Sequence, residues 1–386
     1  MTAVAAVDVL TASLPFRFSF GHALAERKES TNVFVRLRLE DGTVGYGEGV
    51  PREYVTGETV EGALEALCER QVPAVLGREL ADKDDVPELA GAIPSTAPDG
   101  ALDHAARCAL ELALLDAAGR HFGVSVSHWL GGEPAESVTY DVVLPFSSPK
   151  KVVPIALVVR ALGVRQVKAK VGGDLDKELR SLRALRRVLG KRADLRVDAN
   201  CAWTAEQAVA AVERLRAVGI SSVEQPLPPE DLDGLARVTS ELEEAIIVDE
   251  SLRTLDEART LAEHRACDSF NIRVSKCGGL LSSVRIAEVA AGAGLFCVVG
   301  AQVGESGILS AAGRHLAARI GPRYLEGSGG RLLLKEDVTR ENVLPGRRGR
   351  ARTPTGPGLG VEVVDEVLER RGQLHRSFEA SAMRTG

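Results

Sequence analysis

Leu195-Arg196-Val197-Asp198, Ser222-Val223-Glu224 and Ile246-Ile247-Val248-Asp249 are three short apolar runs, each ending on an acid. Lys168-Ala169-Lys170 comes before them. The four landmarks follow one another at steps of roughly 25 to 28 residues, close to the ~30 residues of one strand-plus-helix unit. A chain that repeats this unit lays parallel strands side by side with their carboxyl ends at one rim. Lys170, Asp198, Glu224 and Asp249 then end successive strands, where a (β/α)8 barrel collects its working side chains.

Outward from this core, strands are expected at 138–143, 166–171, 194–198, 221–225, 246–249, 268–274, 295–299 and 323–326, with helical stretches such as 175–189, 205–218 and 282–291 between them. This is an α/β pattern, a modified TIM barrel. Ahead of it, Val33–Leu39 alternates, Asp41-Gly42 turns and Thr43–Gly49 returns, as a hairpin does. Residues 59–72 and 99–122 carry helical periodicity, and 80–98, rich in Asp and Pro, read as a connecting loop. Behind the barrel, Pro357–Val364 reads as one more short strand. The division expected is an α+β capping domain at 1–130, the barrel at 131–355 and a C-terminal segment at 356–386 that returns to the cap.

The 386 residues are 45% hydrophobic and 26% charged, an ordinary globular composition. A net charge of −6 argues against a general nucleic-acid or anionic-membrane surface. No apolar run is long enough to span a membrane, and Met1–Asp8 lacks the pattern of a secretion signal, so a cytoplasmic location is expected. Six cysteines without CxxC spacing fit free thiols better than a zinc or disulfide framework.

Three acids on adjacent strand ends make a hard-oxygen site suited to Mg²⁺, with Mn²⁺ a second possibility, and leave positions for water and a substrate carboxylate. One such acid alone is more often a helix cap; three in register carry the metal reading. Asn200 lies two residues past Asp198 on the same side of an extended segment. Lys168 and Lys170 share a strand face. Burial, a neighbouring ammonium and a metal ion all lower a lysine pKa, which makes Lys170 a general base and leaves Lys168 to hold a substrate carboxylate. The sixth strand stands opposite and offers Arg273 and Lys276. Their odd separation prevents a regular strand from aiming both inward, so Lys276 is expected at the rim.

Together, Val44-Gly-Tyr-Gly-Glu48, Lys168-x-Lys170, Asp198-Ala-Asn200, Val223-Glu-Gln-Pro226, Asp249-Glu-Ser251 and Gly304-Glu-Ser-Gly307 resemble the enolase superfamily. The nearest pattern is its muconate-lactonizing subgroup, and the likeness runs over nearly the whole chain. The resemblance implies a divalent-metal enzyme that removes the α-proton of a small-molecule carboxylate substrate. It also implies a homo-oligomer, and cap loops near 16–32 and 50–58 that choose the substrate, with Phe20, His22, Arg52 and Tyr54 as candidate contacts. One departure stands out: the subgroup carries Asn-x-Lys on strand six, and this chain has Asn271-Ile-Arg273. Arginine keeps its proton. Two-base racemisation would then need Lys276 to swing in, whereas cycloisomerisation or syn elimination needs only Lys170, with Arg273 as the opposing cation.

Strand eight, Tyr324–Gly330, holds a single acid, Glu326, where dipeptide epimerases of the subgroup carry Asp-x-Asp. The leading expectation is therefore a muconate-cycloisomerase-like isomerase or related syn lyase. A racemase or epimerase of N-substituted amino acids or dipeptides is the alternative. Glu305 reads either as a lysine's partner or as the cap of the helix that follows. A Schiff-base aldolase using Lys168 or Lys170, which gives the three acids no joint role, and a non-catalytic binding protein on the same barrel, which predicts no metal dependence and no proton exchange, are remoter readings.

Overall fold

The computed structural model describes residues 1–22, 25–144 and 148–383, and their side chains except at 19–22, 25–27, 382 and 383. Its strands, in chain order, are β1 (Thr2–His22), β2 (Ala25–Leu39), β3 (Val44–Gly49), β4 (Glu79–Leu80), β5 (Ser137–Thr139), β6 (Val142–Leu144), β7 (Gln166–Lys170), β8 (Asp194–Asp198), β9 (Ser222–Glu224), β10 (Ala245–Val248), β11 (Ser269–Ile272), β12 (Phe296–Val299), β13 (Tyr324–Leu325), β14 (Arg350–Arg352) and β15 (Gly372–Glu379).

The expected hairpin is β2–β3, paired antiparallel. Asp41 closes its turn by accepting the Thr43 N–H at 2.9 Å, and Gly42 takes φ +88°. β3 reads Val44-Gly-Tyr-Gly-Glu-Gly49 for a packing reason. A Cβ at Gly47 would stand 1.8 Å from the Ala109 carbonyl oxygen. The bare backbone lets the helix His104–Phe122 lie directly on the sheet, with Ala105, Ala109, Ala113 and Ala117 against the glycines.

β6 to β13 form one sheet of eight strands in chain order, every neighbouring pair parallel. The Asp141 N–H reaches the Leu325 carbonyl at 2.8 Å and ties the start of β6 to β13, so the sheet curls into a barrel. Helices such as Leu175–Leu189, Ala205–Leu215 and Leu280–Gly292 cover its outside, with Leu179, Leu182 and Leu185 among the buried apolar residues. Where the eighth helix would stand there is a single turn, Gly330–Leu333.

Three local expectations need correction. The first barrel strand is shorter than 138–143: β5 pairs with β14 outside the barrel, and only β6 joins it. Residues 80–98 contain a 3-10 turn, Lys83–Asp85, and a helix, Val86–Gly91. Asp82 caps the turn, and Asp85 and Pro87 start the helix, so the Asp and Pro taken for loop residues are helix-start signals. Pro357–Val364 is not a strand; Gly358 and Gly360 take positive φ there. The strand that returns to the N-terminal sheet is β15, antiparallel to β1. It is a polar, mostly exposed edge strand and so carries no hydrophobic alternation to read.

The cap is fastened to the barrel by a buried carboxylate. Glu48 of β3 accepts the Ser306 N–H (2.9 Å), the Ser306 Oγ–H (2.6 Å), the Leu309 N–H (3.2 Å) and the Asn32 amide (2.7 Å). Three of these donors belong to the N-terminus of the helix Gly307–Ile320, which attracts negative charge. Burial nonetheless pushes Glu48 up to about 7, Glu58 to about 7 and Glu305 to about 8. Each folded carboxyl keeps a proton that the unfolded chain loses near 4.5. The stability it contributes is complete below 4.5 and is lost as pH rises through 7 to 8. Buried His315, held down to about 4, works in the opposite sense only below its ordinary 6.5. The denaturation midpoint is therefore expected to fall between about pH 6.5 and pH 8, and Glu48→Gln is expected to flatten that slope. A midpoint that climbs across this interval would contradict the buried-acid account.

Candidate active site

The strand alternation aims Lys168 and Lys170 into one cavity of about 620 Å³ at the carboxyl end of the barrel. Lys168 Nζ lies 2.8 Å from Glu224 Oε1, 2.7 Å from Glu326 Oε1 and 3.7 Å from Asp198 Oδ2. Burial disfavours its charge, but Glu224, Glu326 and Asp198 outweigh burial and raise it well above the ordinary lysine value. The downward shift expected for inward lysines is thus reversed at Lys168, because acids surround it. A lysine held between three carboxylates is poorly placed to act as a free-amine Schiff-base nucleophile. Lys170 is the other kind of lysine: half-buried, it donates to Asn200 Oδ1 at 2.6 Å, stands 3.8 Å from Asp198 and faces the cavity.

Asn200 reaches this position in the left-handed region (φ +44°), followed by Cys201 at +62°, and Gln225 after β9 sits at +35°. Such conformations cost non-glycine residues about 1–3 kcal/mol and cluster at working sites. Here they turn the chain sharply at the ends of β8 and β9. The Gln225 side chain then accepts the Asp249 N–H (2.8 Å) and donates to Ser251 Oγ (2.7 Å), locking adjacent strand ends together.

β11 stops at Ile272, so Arg273 and Lys276 leave the strand and its alternation no longer separates them. Both converge on Asp249: Arg273 pairs with Oδ2, and Lys276 Nζ lies 2.8 Å from Oδ1. Lys276 also donates to the carbonyls of Asp249 (2.5 Å) and Asn271 (2.9 Å) and is 1% exposed. Lys276 is therefore not at an exposed rim: it is buried against Asp249 and is not among the residues that line the cavity. Arg273 does line the cavity and donates to Gln302 Oε1 at 2.9 Å. Burial would raise Asp249, but the two cations bring it down to about 2.

Asp198, Glu224 and Asp249 are all buried at neighbouring strand ends. Among the described residues, no group of three or more acid, His or Cys side chains stands ready-made to hold a metal ion. Lys168, Arg273 and Lys276 reach in between the three acids instead. The donor set nevertheless fits a divalent cation. Glu224 Oε2 is buried without a hydrogen-bond partner, and burial, reinforced by Glu326, Asp198 and Asp249, pushes Glu224 up to about 8. Repelling carboxylates in one dry place are relieved by a hard cation with oxygen ligands.

Of the other residues singled out from sequence, Asn200, Tyr54, Glu305 and Glu326 reach the cavity wall. Glu305 neither pairs with a lysine nor caps the helix: it accepts the Gln302 N–H at 2.6 Å, and Ser306 and Glu48 do the capping. Arg52 is buried away from the cavity wall, donating to the Pro51 and Val303 carbonyls (2.8 and 2.9 Å) and to Ser30. The side chains of Phe20 and His22 lie outside the described residues. All six cysteines are free. No helix among the described residues is long and apolar enough to cross a membrane.

Sequence reading missed Arg196, Glu250 and Asp141. Arg196 is fully buried, pairs with Asp141, lies 2.9 Å from Glu326 Oε1 and 3.5 Å from Glu224 Oε2, and stacks 4.1 Å from the Tyr324 ring centre. Its place two residues before Asp198 was the available signal, since strand parity sends both the same way. Glu250 lines the cavity beside Asp249 and accepts from the Asn200 amide at 3.2 Å. Asp141 carries no periodic signal, because it lies between β5 and β6.

A curled parallel barrel with an α+β cap, three buried acids and two inward lysines at its carboxyl rim defines a class of enzyme, and comparison with known proteins identifies it. Residues 1–131 match the mandelate racemase/muconate lactonizing enzyme N-terminal domain, and residues 154–367 match the enolase C-terminal domain-like family. The chain belongs to the enolase superfamily. It is 32% identical over 312 residues to the hydrophobic dipeptide epimerase of Enterococcus faecalis, covering 81% of this chain and 86% of that protein. Over 378 residues it is 32% identical to muconate cycloisomerase 1 of Rhodococcus opacus, covering 96% and 99%. Among solved structures, the N-succinyl Arg/Lys racemase of Bacillus cereus superposes with a TM-score of 0.88 at 27% identity, covering 97% and 100%. An Enterococcus faecalis dipeptide epimerase complexed with Mg and the dipeptide L-Leu-L-Tyr superposes with a TM-score of 0.84 at 29% identity, covering 93% and 99%. The expected class, an isomerase of this superfamily, is the one these relatives share.

Proposed function

We propose that this chain is a divalent-metal-dependent racemase or epimerase of an amino-acid-derived carboxylate, with Lys170 as the acid/base. The observation that carries this reading is the Lys170 side-chain nitrogen, open to the cavity and held by Asn200, beside buried Asp198. The dipeptide epimerase and N-succinyl racemase among the relatives favour it over the cycloisomerase expected from strands six and eight. Asp198, Glu224 and Asp249 would hold Mg²⁺ or Mn²⁺, which supplies positive charge against the electron pair released as an α-proton leaves. Lys168, kept cationic by its acids, orients the substrate carboxylate. Asn200 holds Lys170 at the cavity wall, and Lys170 takes the α-proton on its face of the substrate.

Arg273 stands at the cavity as a permanent cation, and Lys276 is committed to Asp249. Racemisation therefore requires that water entering the cavity reprotonate the second face, with the hydroxide left behind neutralised by the proton that Lys170 took. This same observation favours a second reading, a single-base cycloisomerase or syn lyase in which Arg273 stabilises negative charge. Mass spectrometry of α-proton exchange in D₂O separates the two, using N-acyl amino acids, dipeptides and lactones with Mg²⁺. Exchange with inversion is expected. Turnover with strict retention would remove the epimerase reading, and full activity after exhaustive chelation would remove the metal.

A further inference from the structure

Lys170 is bonded to an amide that is itself bonded to an acid. Lys170 Nζ donates to Asn200 Oδ1 at 2.6 Å, and Asn200 Nδ2 donates in turn to Glu250 Oε1 at 3.2 Å. All three residues line the cavity. They come from three places in the chain: Lys170 ends β7, Asn200 follows β8 and Glu250 follows β10, with β9 between the last two in the sheet. The Asn200 backbone is held in the left-handed region (φ +44°), with its N–H on Asp198 Oδ1 at 3.1 Å. One freedom remains, the direction in which the side-chain amide faces.

An amide presents an oxygen on one side and an NH₂ on the other, groups of similar size and opposite hydrogen-bonding sense. A neutral lysine does not choose between them, because it has two N–H donors and one lone pair and bonds to either. Glu250 does choose. Its Oε1 is an acceptor whether or not Oε2, which is buried with no hydrogen-bond partner, carries a proton. It takes the NH₂ and leaves the oxygen to Lys170. Facing an oxygen, neutral Lys170 spends one N–H on the contact and keeps its lone pair for the substrate. The α C–H bond then breaks with its electron pair left on the substrate, and the proton joins the Lys170 lone pair. The ammonium so formed still donates to the same oxygen. Facing an NH₂, the neutral lysine would spend its lone pair on the amide, and the ammonium would meet another donor.

We infer that Glu250 is a positioning residue: by taking the Asn200 NH₂ it turns the Asn200 oxygen to Lys170 and keeps the Lys170 lone pair free for the α-proton. The inference rests on the proposed function for what Lys170 does, and on the Lys170–Asn200–Glu250 contacts for how the amide faces.

The test exchanges the two functional groups. Glu250→Gln keeps the size of the side chain but lets both amides rotate. At saturating Mg²⁺ it is expected to lower kcat for α-proton exchange about tenfold, the worth of one misdirected hydrogen bond, with KM little changed. Adding Asn200→Asp puts the carboxylate beside Lys170, where it offers an oxygen in either orientation while the new glutamine supplies the NH₂. The double variant is expected to recover most of the loss. The probes are N-acetyl-leucine, N-succinyl-leucine and alanyl-leucine in D₂O. Glu250→Gln exchanging at the wild-type rate overturns the inference. So does a double variant no faster than the single one, because the charge of Glu250 and not the amide direction would then matter. Neutron diffraction from wild-type crystals grown in D₂O reads the amide without any substrate. Deuterons on the atom facing Glu250 are expected, and deuterons on the atom facing Lys170 overturn the inference. Lys170→Ala separates the two levels: a wild-type exchange rate in that variant defeats the acid/base reading of Lys170, while the neutron result still decides how Glu250 sets the amide.

Discussion

Replacing Lys170 with alanine is expected to lower the rate of α-proton exchange by about 10² to 10⁴-fold, the usual contribution of a positioned acid or base. The fold should survive. Lys170 is half-buried, and its side-chain nitrogen meets Asn200 and Asp198, both at the end of β8. Substrate binding should change much less than turnover, because Lys168 and the three acids remain in place. Single-turnover exchange in D₂O, with binding measured separately, gives both numbers. An alanine variant that exchanges at the wild-type rate would move the base elsewhere in the cavity. Lys168→Ala should behave differently, since it removes the cation that Glu224, Glu326 and Asp198 share and so disturbs both stability and binding.

Arg196→Met is expected to cost about 3–5 kcal/mol of stability, the usual consequence of breaking a buried ion network from one side. Its guanidinium serves Asp141, Glu326 and Glu224 at once, all of them buried. Burial already pushes Asp141 up to about 7 against the pull of Arg196, so losing that cation leaves the acid to be neutralised by a proton. Adding Asp141→Asn should recover part of the loss, because the two residues are one unit and their effects do not add. Denaturant titration of the metal-free single and double variants measures both effects. A single-variant loss below about 1 kcal/mol would mean that Lys168 alone balances these acids.

The barrel was legible because its strands are buried on both faces and its units are of similar length. Apolar runs ending in Asp198, Glu224 and Asp249 recur at nearly constant steps, and parallel strands leave no freedom about which rim those ends share. The β2–β3 hairpin was legible for a local reason, the Asp41-Gly42 turn. β15 was not: an edge strand exposed on one side needs no apolar alternation, and its pairing with β1 joins opposite ends of the chain. Glu48 was quoted only as part of a motif. Its work as the carboxylate between cap and barrel depends on Ser306, far away in sequence.

Residue type and strand parity were enough to bring Lys168, Lys170, Asp198, Glu224 and Asp249 to one end of one barrel, since alternation and repeat length are properties of the chain itself. Which charges meet there was a tertiary matter. Lys168 is held cationic by Asp198, Glu224 and Glu326, from the ends of three other strands, and Lys276 reaches Asp249 because β11 ends at Ile272. Arg196 balances Asp141, just before the first barrel strand, and Glu326, just after the last. The cavity lining is assembled from the cap, β6 and the segments after β6, β12 and β13, pieces that no sequence window holds together. Coulombic and packing energies depend on distances in space, and folding sets those distances across hundreds of intervening residues.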